Sequence, residues 1–340
     1  MDNVKLTILM PSYNKEQYIE ESIISVLSQK TDFAFKLVVT DDGSTDKTVE
    51  IVNDYIKKYP DKVVLLPSEK NQGLLSNIIK AYEYLTENQS PYFCCLDADD
   101  YYTDYNFYQK AIDFLDVHKD YNIYSSNTYY LGKNQEEIQN NYFFKEKECH
   151  STFEDMLNQK AILGNTISSI FRNCVINESL INKLKQYQGN HYREHSVRDD
   201  DFRNRIHLEN SKAYYLNEIV GFYRTTQSGL YQGSNNLKKV LLKIQAYIDM
   251  YYFFDNKYSQ FITLASKQLY RIDNEVLKSN MNNLLNYPAQ ELVQLVSVIA
   301  ELGRYDEAII EKVVADFKTK REKKLNKNIL LKLFYKNKKL

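Results

Sequence analysis

Strand-like and helix-like segments alternate through the first hundred residues of this 340-residue chain. A continuous apolar run over residues 4–10 predicts a buried strand, and residues 16–29 place apolar side chains on one helical face. The pattern then continues as strand 35–40, helix 47–58, strand 63–66, helix 73–87 and strand 92–96. Such repetition with short connections predicts an α/β fold, a mainly parallel sheet flanked by helices.

Acidic residues follow two of these predicted strands. Asp41 and Asp42 come after the second strand, and Asp97 and Asp99 come after the fourth. Ligands of parallel sheets bind outside the carboxyl ends of the strands. Mg²⁺ and Mn²⁺ take oxygen ligands, commonly one or two carboxylates together with substrate phosphates. An isolated Asp-x-Asp is also common in turns and helix caps, so the spacing alone does not identify a metal site.

The second half of the chain changes in character. Strand-like pieces near residues 123–131 and 213–223 are joined by a polar, helix-like interval. From residue 236 onward only helical periodicity is present, which predicts helices over 237–254, 260–279, 281–302 and 305–318. Glycine and serine near residue 233 mark a loop. We therefore predict a first domain over 1–235 and a helical region over 236–340.

Charge and cysteine content limit the function classes. The net charge is −1, which argues against a broadly basic nucleic-acid-binding protein. Residues 318–340 carry ten Lys/Arg and one Glu among apolar residues. This basic amphipathic tail is suited to an anionic membrane surface, or it is a solvated terminus. Four cysteines without CxxC spacing, and no apolar run of 18 residues, favour the cytoplasm, with peripheral contact at the inner face of the membrane.

Four motifs occur in a characteristic order within the first hundred residues. They read LTILMPSYN at 6–14, VVTDDGSTD at 38–46, NQG at 71–73 and CLDADD at 95–100. This set resembles the family 2 inverting glycosyltransferases with the GT-A fold, specifically over residues 5–105 and loosely to about 232. The resemblance implies transfer of a hexose or N-acetylhexosamine from a UDP-sugar, assisted by Mn²⁺ or Mg²⁺. The implied acceptors are saccharides, lipid-linked oligosaccharides or glycoproteins.

The resemblance also implies roles for matching residues. Asp41 or Asp42 would accept a hydrogen bond from the base, Asp97 and Ala98 would lie near the ribose, and Asp99, with Asp97, would bind the metal. The remaining nucleotide-binding positions would be Pro11, Ser12, Tyr13, Asn14, Asn71 and Gly73.

A direct displacement needs a general base for the acceptor hydroxyl. The family keeps an acid about a hundred residues beyond the metal motif, before a helix that contains an arginine. Residues 199–201 are three consecutive aspartates that precede Arg205. We favour Asp200, then Asp199, although a charged helix start would explain these acids equally well.

The chain departs from the family at one point. Members often carry an Arg-Asn pair shortly after the Asn-x-Gly, where this chain reads LLSNII at 74–79. Arg224 or Lys70 could supply the missing positive charge at the diphosphate.

Two alternative functions remain open, and so does the role of the helical region. A non-catalytic nucleotide-sugar-binding protein would keep the same acids. A nucleotidyltransferase would want a glycine-rich basic loop where this chain has PSYN at 11–14. The helical region could serve homo-oligomerisation, acceptor binding or membrane docking.

Overall fold

The computed structural model describes residues 4–132, 138–140, 147–197, 200–225, 235–272 and 288–305. These residues form two compact units. The first contains the described residues up to 190 together with those from 197 to 225, and the second contains 191–196 together with the described residues from 235 onward. The boundary predicted after residue 235 stays a prediction. The grouping of residues 191–196 with the helical unit was not predicted.

The first part of the large unit is built as the sequence predicts. Four parallel strands alternate with three helices. The elements are β1 (Leu6–Ser12), α1 (Ile19–Leu27), β2 (Phe35–Asp41), α2 (Thr48–Lys58), β3 (Val63–Pro67), α3 (Leu74–Asn88) and β4 (Tyr92–Cys95). The order of the strands in the sheet is β3-β2-β1-β4. The central strand β1 is almost entirely buried because both faces of the sheet are covered.

The sheet continues with parallel and antiparallel strands in the order β9-β6-β10-β5, while β7 pairs with β6 and β8 with β10. The elements are β5 (Tyr101–Tyr102), α4 (Phe107–Val117), β6 (Tyr121–Leu131), β7 (Ile138–Asn140), β8 (Glu148–Thr152), α5 (Phe153–Leu157), a 3₁₀ turn (Thr166–Ser168), β9 (Ser169–Arg172), α6 (Glu178–Lys185), α7 (His191–Ser196), α8 (Asp200–Leu208) and β10 (Lys212–Arg224). Strand β9 runs antiparallel between β4 and β6. The predicted mixed, mainly parallel sheet flanked by helices is confirmed.

Apolar side chains of the strands and helices form the core of the sheet unit. On one face, Leu6, Ile8 and Met10 of β1 pack in a cluster with Ile19 and Ile23 of α1. All five side chains are fully buried. This packing fixes the orientation of the strands and therefore the edge at which their carboxyl ends lie.

The second unit is helical, as predicted. It contains α7, α9 (Asn236–Phe253), α10 (Gln260–Ile272) and α11 (Ala289–Leu302). A polar contact lies within it: Asp249 of α9 is buried and accepts hydrogen bonds from Ser196 Oγ at 2.7 Å and Gln245 Nε2 at 3.0 Å. Among the described helices, none is long and apolar enough to cross a lipid bilayer. The predicted helix 305–318 and the basic tail 318–340 lie outside the described residues.

Candidate active site

The carboxyl ends of β1, β2 and β4 lie next to one another at one edge of the sheet. Ser12, the last residue of β1, is in register with Asp41, the last residue of β2. Strand β4 pairs with the other side of β1 and leads into Asp97, Asp99 and their neighbours. The loops that contain the predicted site residues therefore meet at this edge, as the parallel arrangement requires.

Asn14 joins the loop after β1 to the loop after β2. Its backbone N–H donates to Ser44 Oγ at 2.9 Å, and its Oδ1 accepts from the backbone N–H of Thr45 at 2.8 Å. The residue adopts a φ of 50°, a left-handed conformation that asparagine tolerates better than most residues. The two predicted nucleotide-binding loops are thus tied together. Pro11 and Ser12 lie at the end of β1, and Tyr13 is exposed beside them.

The two acids after β2 shape their own loops. Asp41 accepts hydrogen bonds from the backbone N–H and the hydroxyl of Ser44. Asp42 accepts from the backbone N–H groups of Gln72 at 2.8 Å and Gly73 at 2.9 Å. A carboxylate has about four acceptor positions, so these bonds leave capacity for a ligand on either acid.

Gly73 begins α3 in a conformation that favours glycine. Its φ is 91°, and a Cβ added there would meet no atom within 4 Å. The position therefore faces open space, and the backbone conformation is the reason for a glycine. Asn71 accepts from the Gly73 N–H through its own Oδ1 at 3.1 Å. The Asn-x-Gly motif thus forms a turn that Asp42 holds against the end of β2.

The acids after β4 are unequally buried, and the pKa values of Asp97 and Asp100 are both raised. Burial, followed by the charges of Asp99 and Asp200, raises the pKa of Asp97 to about 7. Burial, followed by Asp99 and Asp97, raises the pKa of Asp100 well above its usual range. Ala98 between them is buried and its carbonyl accepts from Ser22 Oγ at 3.1 Å. The loss of water around Asp100 therefore disfavours its ionised form.

Arg224 holds this acidic loop from the end of β10. Its backbone N–H donates to Asp100 Oδ1 at 2.8 Å and its Nη1 donates to the carbonyl of Asp99 at 2.7 Å. Its Nη2 pairs with Glu21, and the guanidinium lies over the rings of Tyr18 and Tyr101. The side chain is only 7% exposed. These contacts give Arg224 a structural task, and its predicted phosphate contact stays a prediction.

Lys15 places a second positive charge at these acids. Its Nζ forms an ion pair with Asp99 Oδ2, and both side chains are mostly buried. The sequence interpretation missed this residue, although a lysine directly after Asn14, in a loop predicted at the nucleotide, was a visible signal.

The candidate base lies at the start of α8. Asp200 Oδ1 accepts from Thr166 Oγ1 and from Nη2 of Arg203. Arg203 is buried and its guanidinium lies 5.5 Å from the centre of the Phe171 ring. The structure therefore pairs Asp200 with Arg203 and not with Arg205. The other candidate, Asp199, lies outside the described residues.

Arg205, the arginine noted in the sequence, instead pairs with Asp201 at 3.1 Å. Thr166 was missed because it is 34 residues from Asp200 in the chain, and Arg203 was missed because its spacing did not distinguish it from Arg205. Their contacts depend on where α8 begins and on the 3₁₀ turn before β9.

The acidic groups of the two sequence regions interact electrostatically. The charge of Asp200 contributes to the raised pKa of Asp97, and the charges of Lys15 and Arg203 oppose it. Asp97, Asp99 and Asp200 therefore belong to one cluster at the sheet edge, although about a hundred residues separate them in the chain.

The carboxylates at this edge suit a cation that is bound by the protein and the substrate together better than a cation bound by the protein alone. Among the described residues, no group of three or more His, Cys, Asp or Glu side chains could hold a metal ion. Asp97 and Asp99 provide carboxylates. Asp99 accepts a hydrogen bond from the ammonium of Lys15, which occupies the place that a metal cation would take. Two carboxylates plus substrate phosphates are a usual environment for Mg²⁺.

Comparisons with known proteins agree with this architecture. The minor teichoic acid biosynthesis protein GgaB of Bacillus subtilis is 26% identical over 311 residues, which cover 81% of this chain and 33% of GgaB. The chain spans a third or less of the length of several curated relatives that it matches.

Two solved structures share the fold. Staphylococcus aureus TarS residues 1–349, in complex with UDP-GlcNAc, superposes with a TM-score of 0.61 at 17% identity, covering 90% of this chain and 83% of that one. The mannosyltransferase PcManGT of Pyrobaculum calidifontis, in complex with GDP-Man and Mn²⁺, gives a TM-score of 0.50 at 15% identity, covering 93% of this chain and 88% of that one. The GT-A fold predicted from the sequence is confirmed.

The sequence profile of Glycosyl transferase family 2 matches residues 7–185, more than half of the chain. The matched range contains β1 to β4 and the acids Asp41, Asp42, Asp97 and Asp99. The protein belongs to glycosyl transferase family 2.

Proposed function

We propose that this glycosyltransferase transfers a hexose or N-acetylhexosamine from a UDP-sugar to a saccharide-containing acceptor, with inversion and with the help of a divalent cation. The observation that carries the proposal is that Asp99 and Asp200 lie near enough to Asp97 for their charges to raise its pKa. A donor diphosphate needs charge neutralisation and an acceptor hydroxyl needs a base, and this cluster offers residues for both.

Asp200 is the base in this proposal. Both described donors to its carboxylate, Thr166 and Arg203, bond to Oδ1. Oδ2 has no hydrogen-bond partner within the described residues, and the side chain is 38% exposed. Oδ2 would take the proton of the acceptor hydroxyl as that oxygen bonds to the anomeric carbon. The bond from that carbon to the nucleoside diphosphate breaks at the same time, which inverts the configuration.

The donor side uses the loops after β1, β2 and β4. Asp99 and Asp97 would hold Mn²⁺ or Mg²⁺, which supplies Lewis-acid neutralisation of the departing diphosphate. Asp41 or Asp42 would accept a hydrogen bond from the base. Pro11, Ser12, Tyr13, Asn14, Asn71, Gly73, Ala98 and Arg224 would border the nucleotide. UDP-GlcNAc in TarS and GDP-Man with Mn²⁺ in PcManGT support this assignment.

The acceptor side rests on the relatives. GgaB is named for minor teichoic acid biosynthesis, which supports a growing surface polymer or a lipid-linked saccharide as the acceptor. A membrane-borne acceptor would agree with the basic tail 318–340 acting at an anionic inner leaflet. Self-association through the helical unit belongs to the same proposal.

A donor screen tests the proposal. Purified full-length protein with Mn²⁺ or Mg²⁺ is incubated with UDP-, GDP- and TDP-sugars, and the released nucleotide is measured with and without candidate acceptors. We expect metal-dependent release from a UDP-sugar that Asp99→Asn and Asp200→Asn both abolish. Nucleotide binding without release from any donor and acceptor pair would favour a non-catalytic binding protein, and no nucleotide binding would refute the proposal.

A further inference from the structure

Lys15 lies in the loop after β1, next to the acidic cluster of Asp97, Asp99 and Asp200, and hydrogen bonds hold its backbone in place. Its backbone N–H donates to Thr48 Oγ1 at 2.7 Å, and its carbonyl accepts from the backbone N–H groups of Tyr18 and Ile19, both at 2.9 Å. The preceding Asn14 is bonded to the loop after β2. The backbone of Lys15 is therefore fixed, and only its four-carbon side chain is free to change position.

The three basic side chains at the cluster differ in how they are held. Arg224 is bonded at both terminal nitrogens and is 7% exposed, and Arg203 is 6% exposed beneath Asp200. Lys15 is 21% exposed and pairs directly with a side-chain oxygen of Asp99. A compact ammonium on a flexible stem can change partners more easily than a buried planar guanidinium.

Residues 74–79, directly after the Asn-x-Gly motif, are Leu, Leu, Ser, Asn, Ile and Ile and carry no positive charge. Lys15 is already at the carboxylate that would face the metal and the diphosphate. Lysine binds phosphate as a point charge and does not need the fixed geometry of arginine.

We propose that Lys15 holds Asp99 in the ligand-free protein, yields that carboxylate to the divalent cation when the donor binds, and then places its ammonium on the donor diphosphate. This inference rests on the proposed function. The ion pair makes Lys15 a competitor of the cation in the absence of nucleotide and a partner of the nucleotide in its presence. Removing Lys15 must therefore change these two affinities in opposite directions.

The test measures binding, independently of turnover. Mn²⁺ affinity of the full-length protein is measured without nucleotide, from the paramagnetic resonance signal of the free ion. UDP affinity is then measured by calorimetry at saturating Mn²⁺. The variants are Lys15→Met, which removes the charge, and Lys15→Arg, which keeps it. Lys57→Gln is the matched control because Lys57 forms an exposed ion pair with Asp54 on α2.

We expect Lys15→Met to bind Mn²⁺ about three- to tenfold more tightly than wild type, and UDP about tenfold more weakly, as the loss of one charge-assisted contact implies. Lys15→Arg should lie near wild type in UDP affinity, and Lys57→Gln should match wild type in both measurements. If Lys15→Met binds Mn²⁺ as weakly as wild type or more weakly, the proposed change of partner by Lys15 is wrong. The same conclusion follows if neither protein binds Mn²⁺. Failure of the proposed function would be seen separately, as wild-type protein that binds no UDP and releases no nucleotide.

Discussion

Arg203 and Asp200 lie one turn apart on α8 and form an ion pair whose two members differ in exposure. The guanidinium is 6% exposed, whereas the carboxylate is 38% exposed. Arg203 thus holds Oδ1 of Asp200 from the buried side, and the rest of the carboxylate stays accessible to a reactant. Thr166, from the turn before β9, donates to the same oxygen.

The first prediction concerns Thr166, which we assign as a positioning residue for the base. Thr166→Val removes the hydroxyl donor while keeping the shape of the side chain. We expect kcat to fall about tenfold with little change in donor KM, because the carboxylate loses one of the bonds that orient it. Initial rates over a range of donor concentrations measure this. Thr166→Ser should recover most of the rate, and a serine variant as slow as the valine one would contradict the assignment.

The second prediction separates two neighbouring acids. Asp99→Asn should lower turnover by at least about 100-fold, because it removes a carboxylate assigned to the cation. Asp100→Asn should keep most of the activity, since burial raises the pKa of Asp100 and an asparagine Oδ1 can still accept from the Arg224 N–H. Nucleotide-release rates and thermal unfolding of both variants provide the measurement. Equal losses of rate in two stably folded variants would refute the distinction.

The third prediction concerns the task of Arg224. Arg224→Met breaks the bonds to the Asp99 carbonyl and to Glu21, and we expect a loss of about 1–2 kcal/mol in the free energy of unfolding. Denaturant unfolding measures the loss. Glu21→Gln, which removes only the exposed partner, should lose less. A variant with unchanged stability but a raised donor KM would instead assign Arg224 to the diphosphate.

The fourth prediction is a pH dependence of stability in the helical unit. Burial raises the pKa of Asp249 to about 6, and bonds from Ser196, Arg193 and Gln245 oppose that shift only in part. A raised folded-state pKa means that protonation favours the folded state. The contribution of Asp249 is therefore full below about pH 4, the unfolded pKa, and is lost as the pH rises through about 6.

Asp249→Asn isolates this contribution. The difference in the free energy of unfolding between wild type and Asp249→Asn should fall by up to about 3 kcal/mol between pH 4 and pH 7. Denaturant unfolding at several pH values measures it. A constant difference would show that Asp249 has the same pKa in the folded and unfolded states, and a difference that grows with pH would show that folding lowers its pKa.

The half of the sheet that the sequence predicts well is the half with strong local periodicity. Strands β1 to β4 and helices α1 to α3 each occupy a continuous apolar or amphipathic segment, and parallel topology then places Asp41 and Asp97 at one edge. Strand β9 was not predicted. It is four residues long, in an interval read as polar and helix-like, and it is stabilised by pairing with β4 and β6 and not by its own sequence.

Side-chain pairing at the site was harder to predict than the positions of the acids. Arg203 and Arg205 lie three and four residues after Asp200 and Asp201 respectively, and both spacings allow contact on a helix. Both arginines are buried, at 6% and 5% exposure, so the structure and not the spacing shows which arginine each acid contacts. Lys15 was missed for a related reason, since its partner Asp99 is 84 residues away.

The bonds of Asn14 to Ser44 and Thr45 have a thermodynamic consequence for recognition at this edge. They join two loops into one piece, so the conformational entropy of both loops is lost when the chain folds and not when a ligand arrives. A nucleotide that binds here meets a preformed surface and keeps more of its interaction free energy as affinity. Asn14→Ala would remove the side-chain bond to Thr45 and keep the backbone bond to Ser44, so it would transfer part of that ordering cost to the binding step.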